Sequence, residues 1–143
     1  MDPMFIKIHP ASDTFIVKKR SFFENDVFLP GNAIIGAGSS FWGDLVVKGA
    51  LDLGRESKVK GNITARTAVI SADSHIEGNI KVSSDLTLLD RVIVGGLAYA
   101  DGDIFIRPKV SARAAECTGD IMVTGRTNIK SISSGHKLVA RKW

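Results

Sequence analysis

Residues 41–65 read FWGDLVVKGALDLGRESKVKGNITA, and the spacing inside this stretch decides the fold. Apolar side chains recur every six residues, at Phe41, Val47, Leu53, Val59 and Ala65. The same step backward reaches Ile35. Forward, one shortened step leads to Ile70, Ile76, Val82, Leu88, Val94, Ala100, Ile106 and Ala112, and a second to Cys117, Val123 and Ile129. All 17 positions are apolar, counting Cys117 as a small hydrophobe. With 44% apolar residues overall, chance agreement over that run is on the order of one in a million. A period of six does not match the i, i+3, i+4, i+7 stripe of an amphipathic helix.

A second regularity lies two residues further on. That phase holds Gly43, Gly49, Gly61, Gly78, Gly96, Gly102, Gly119 and Gly125, which is eight of the 14 glycines. Glycine accepts sharp bends and left-handed backbone angles, so a glycine at a fixed phase reads as a corner. Two residues beyond it the chain is often apolar again, as at Leu45, Leu51, Ile63, Ile80 and Ile121. That alternation is the mark of a strand with one face inward. Each hexad is therefore one short strand and one corner, and three hexads close one turn. The expected fold is all-β: a single-stranded, three-sided parallel β-helix of about six turns.

The remaining sequence divides around this coil. Residues 1–31 carry five of the seven phenylalanines and read as an N-terminal capping or targeting segment. Residues 32–134 form the β-helix, and residues 135–143 a basic tail. Solenoids need atypical ends, because a terminal turn exposes both its core and its strand edges. The net charge is +4, and the coil itself is nearly neutral, with 12 basic against 11 acidic residues between Asn32 and Ser134. A nucleic-acid reader would concentrate basic residues on its folded body, so nucleic acid is not an expected partner. The single cysteine, Cys117, excludes an internal disulfide and fits a cytoplasmic setting.

The chemistry-bearing residues are few. Hexapeptide-repeat acyltransferases share this period and use a histidine between subunits, which makes His75 the candidate here. Coil-type carbonic anhydrases use three histidines on zinc. Only His9, His75 and His136 exist, and they are spread along the chain. Cys117 sits at a core phase and reads as filler rather than nucleophile. Asp44, Asp103 and Asp120 adjoin corner glycines and read as turn formers. No catalytic residue, cofactor, metal or small-molecule substrate is expected; a trimeric enzyme of either coil class is the alternative.

The run Phe41-Trp42-Gly43-Asp44-Leu45, followed by Val59-Lys60-Gly61-Asn62-Ile63-Thr64-Ala65 and, one turn later, Ile76-Glu77-Gly78-Asn79-Ile80, strongly resembles the bactofilins. These are polymer-forming cytoskeletal proteins with a small β-helical domain, and the likeness covers about 100 of the 143 residues. The resemblance implies a right-handed coil, in line with the general crossover preference. It also implies a non-enzymatic scaffold that stacks end to end into nucleotide-independent filaments, peripheral at the inner face of the cytoplasmic membrane through a short N-terminal tag. The partners it implies are further copies of the chain and the membrane surface. Ile35 and Phe41 on the leading side, with Val123 and Ile129 on the trailing side, are the expected polymer interface. Phe41→Arg is then expected to dissolve filaments. Met4, Phe5, Ile6 and Lys7 are the expected membrane or partner tag.

Overall fold

The computed structural model describes residues 6–9, as backbone, and residues 13–141. Among the described residues there are strands and turns and no helix. A first strand, β1 (Ile6–His9), runs antiparallel to β2 (Thr14–Val17). All other pairings among the described residues are parallel and join each turn to the next. The first coil is β2, β3 (Phe22–Phe23) and β4 (Val27–Leu29). The second is β5 (Asn32–Ile35), β6 (Ser40–Phe41) and β7 (Leu45–Val47); the third is β8 (Ala50–Leu53), β9 (Lys58–Val59) and β10 (Ile63–Ala65). The fourth is β11 (Thr67–Ile70), β12 (His75–Ile76) and β13 (Ile80–Val82). Then β14 (Leu86–Leu88) leads into β15 (Ile93–Ala100), and β16 (Ile104–Ile106) into β17 (Ser111–Cys117). The last are β18 (Ile121–Thr124), β19 (Asn128–Ser134) and β20 (Leu138–Arg141). The result is a parallel β-solenoid of about seven turns, one more than the sequence predicts.

The additional turn lies in the segment read as a cap. Thr14–Val17 pairs in register with Asn32–Ile35, Phe22–Phe23 with Ser40–Phe41, and Val27–Leu29 with Leu45–Val47. The six-residue step in fact continues backward from Ile35 through Leu29, Phe23 and Val17, all buried. The exposed Phe22 and Phe28 beside them obscure the period. No break separates residues 31 and 32. At the other end, Leu138–Arg141 is not a separate tail, since it pairs with β18 as the start of an eighth turn.

The hexad positions form the core. From Ile35 to Val123 every one is buried, and Ile129 packs half-buried against them. Equivalent residues stack from coil to coil at roughly 4.8 Å. Phe23 lies on Phe41 with ring centroids 5.0 Å apart and planes 17° apart. One column runs Val27, Leu45, Ile63, Ile80, Ala98 and Ala115, so the core narrows toward its C-terminal third. Each shortened hexad step removes one corner residue. The first leaves Arg66 alone between Ala65 and Thr67, and the second lies where β17 falls out of register with β15 beyond Val94.

The three corners use three devices. Between the second and third faces, an Asp or Asn oxygen accepts the backbone N–H one coil further on: Asp26 from Asp44, Asp44 from Asn62, Asn62 from Asn79, and Asn79 from Leu97, at 2.7–2.8 Å. Between the third and first faces, Asn32 holds Ala50, Asp85 holds Asp103, and Asp103 holds Asp120. The first corner carries a left-handed residue in each coil, among them Arg20, Gly38, Glu56, Asp73 and Arg91. It is followed by a buried serine column, Ser21, Ser39, Ser57 and Ser74. Ser21 and Ser39 donate to the carbonyls of Lys18 and Gly36, three residues back.

This corrects the reading of the corner glycines. Of the eight, only Gly125 has a positive φ. The others are glycine because the neighbouring coil's Asp or Asn oxygen occupies the space of a Cβ. A Cβ on Gly61 would overlap Asp44 Oδ1 and lie 2.6 Å from the Gly43 carbonyl oxygen. Gly61→Ala is expected to destabilise the chain by about 1–3 kcal/mol in urea unfolding, the usual cost of overpacking. The serine column makes an internal control. Ser57 is fully buried and its hydroxyl has no partner, so Ser57→Ala is expected to be neutral or stabilising. Ser39 Oγ donates to the Gly36 carbonyl and accepts the buried Ser21 N–H, so Ser39→Ala should cost about 1–3 kcal/mol.

Candidate functional site

The solenoid offers three kinds of surface: its sides, its corners and its ends. The histidines do not converge. His9 lies in β1, His75 points outward from β12, and His136 follows β19. His136 Nδ1 is 2.6 Å from Asp120 Oδ1, where it ends the third-face corner ladder. Among the described residues no group of three His, Cys, Asp or Glu side chains could hold a metal ion. His75 shares a shallow depression with Trp42, Lys58, Lys60 and Glu77. Its Trp42 is 51% exposed, and Lys60 Nζ sits 4.3 Å from the ring centroid. Phe22 meets the Trp42 edge at 5.0 Å. That is an aromatic–cation contact on an open face, and it assembles no base and nucleophile pair.

Asp44, Asp103 and Asp120 are hydrogen-bonded within the corner ladders, in agreement with a turn role and more specific than it. At the first corner, Asp73 accepts from Arg91 Nε at 2.7 Å, with Arg55 at 3.9 Å on its other side. The Arg91 hydrogen bond holds the Asp73 carboxyl below the usual carboxylate range. This folded-state depression favours the native chain above the unfolded carboxylate pKa, and the benefit is lost as pH falls through the folded value. The pair is solvent-exposed, so its weight in stability is small.

The ends are where the expected interface residues require correction. Ile35 and Phe41 are not end residues. Val17 stacks on the first and Phe23 on the second, and both are essentially inaccessible. Val123 is likewise covered by Ala140 of β20. Only Ile129 lies on a terminal strand, since β19 is the last strand on its two faces. The residues that the sequence reading missed are Ile132, in the column below Ala115, and Leu138, below Ile121. Extending the inward columns through the final coil would have found both.

The two ends differ. At the first coil Val17, Phe23, Val27 and Leu29 are all at or below 3% exposure, and β1 covers the edge of β2. At the last coil Ile129 and Ile132 are only half-buried and Leu138 is 54% exposed. Met4 and Phe5 of the expected tag lie outside the described residues, while Ile6 and Lys7 belong to β1.

Cys117 is an inward member of the core, stacked under Ala100. Desolvation pushes its thiol pKa up. It is expected to react with a maleimide or disulfide reagent at pH 8 at least tenfold more slowly in the folded chain than in urea, because the thiolate is both scarcer and shielded. Comparison with models of known protein families, with curated proteins and with solved structures found no match.

Proposed function

We propose that this chain is a bactofilin-like, non-enzymatic scaffold that assembles end to end into filaments without nucleotide. The observation that carries this reading is the open last coil. Its outermost strands, β19 and β20, have no further described strand beside them. Ile129, Ile132 and Leu138 are left where another coil would cover them. An uncovered strand edge over an apolar cross-section is a template for a further chain. A periodic ladder supports the same reading. The coils already stack on one another by backbone hydrogen bonds and small corners, and at the first coil β1 covers only β2, so the outer edges of β3 and β4, with no described strand beyond them, are where a second copy's last coil can continue the pattern.

On this reading the partners are other copies of the chain, with the membrane surface as a second partner through Met4, Phe5, Ile6 and Lys7. Two apolar residues in a short tag bind a bilayer weakly, and repetition along a polymer multiplies the effect. Membrane insertion of Ile6 and Lys7 would compete with the β1–β2 pairing. The implied location is the cytoplasm, at the inner face of its membrane.

The test is negative-stain microscopy of the purified chain in nucleotide-free buffer over a range of concentrations. Filaments are expected to appear above a threshold concentration. Ile132→Arg should abolish or shorten them while leaving the β-sheet circular dichroism intact, because Ile132 is half-buried on the terminal strand. Phe41→Arg, by contrast, should unfold the chain, since it places a charge among residues of zero exposure. A discrete trimer that binds an acyl donor, with binding lost in His75→Ala, would replace this reading with the transferase one.

A further inference from the structure

The first face of the solenoid, formed by β2, β5, β8, β11, β14, β16, β18 and β20, presents one central outward position per coil. On a solvated sheet face that column would be polar. Here Ile16, Ile34, Val69 and Phe105 occupy it at 37–47% exposure. Asp52 and Thr87 interrupt the column, one coil before and one coil after Val69. Ile34 and Phe105 flank these at two coils' distance, and Ile16 and Met122 at three. Read outward from Val69 over the seven full coils, the polarity is therefore the same in both directions: polar, apolar, apolar, with Val139 of β20 lying beyond them.

We propose that this face pairs with the same face of a second copy, antiparallel, about a two-fold axis through Val69. In that register Val69 meets Val69, and Ile34 meets the second copy's Phe105. Ile16 meets its Met122. The Thr87 hydroxyl faces the second copy's Asp52, to whose carboxylate it can donate. Beside the column, Gly54 faces Leu89, a gap opposite a bulk. No like charges are opposed along the column. The parallel alternative sets Asp52 on Asp52, an unpaired like-charge contact that counts strongly against it. A column that is self-complementary under one axis and not the other is the property an isologous interface requires.

Size supports the same occupant. Seven coils with three outward positions each supply about twenty residues, the number a standard interface uses on each side. Four large apolar side chains exposed along one face, broken only by Asp52 and Thr87, are more than a monomer usually leaves in water. The pairing joins rods side by side and is separate from end-to-end growth, because its axis lies at mid-length.

The experiment uses the full chain carrying Val69→Cys, with Thr64→Cys on the third face as control; Cys117 is buried and silent. Under mild oxidation Val69→Cys is expected to form disulfide-linked dimers at least tenfold faster than Thr64→Cys. Ile34→Lys and Phe105→Glu, each added to Val69→Cys, should lower that rate at least tenfold. The two together should restore it, because the introduced lysine of one copy would face the introduced glutamate of the other, while the two positions within one chain are four coils apart. Equal rates for the two cysteine variants, or a double variant no faster than either single one, would overturn the proposal. Loss of filaments in Ile132→Arg leaves this readout unaffected, so the two assemblies are tested separately.

Discussion

The structure rests on one constraint: successive coils are held in register at the spacing of a β-ladder, so every residue has a counterpart directly above and below it. With backbones this close, the corners admit only side chains that fit the gap or bond across it. The Asp26–Asp44–Asn62–Asn79 ladder satisfies backbone N–H groups that a bend would otherwise leave open. The same oxygens occupy the Cβ position of the facing glycines. Glycine and its Asp or Asn neighbour are thus one device, and the recurring Gly-Asp and Gly-Asn pairs are its record in the chain.

The same constraint fixes which way each side chain on the body of the rod points. Inward positions are filled, and the Asp and Asn oxygens of the second and third corners are engaged by the next coil. Outward positions lie on flat ladders with neighbours of the same phase. The faces are long and straight, which suits side-to-side contact. The ends carry an apolar cross-section and strand edges, which suits continuation.

The two ends have different solutions. At the first coil the core is closed and an antiparallel strand lies against the edge of β2. At the last coil the inward columns arrive at Ile129, Ile132 and Leu138 with nothing beyond them in the described structure. Between them, the third-face column shrinks from Ile80 to Ala98 and Ala115 before reaching Ile132.

The sequence by itself determined the solenoid, its three-hexad turn and the hexad column of the core from Ile35 to Val123, because an apolar residue every six positions with inward alternation fits a three-sided coil and not a helix. It also placed Cys117 correctly in the core and Asp44, Asp103 and Asp120 at corners. It misplaced the start of the coil, since Phe22 and Phe28 are apolar but outward, and an apolarity count cannot tell an inward phenylalanine from an exposed one. It misplaced the interface for the same reason: Ile35 and Phe41 look terminal only if the first coil is unseen. Why the corners need glycine, which residues pack over Ile35 and Phe41, and which outward positions align on one face were decided by the tertiary structure. Each depends on which residue of the neighbouring coil lies across the gap, and that partner is about 18 residues away in the chain, at a distance set by the corners between.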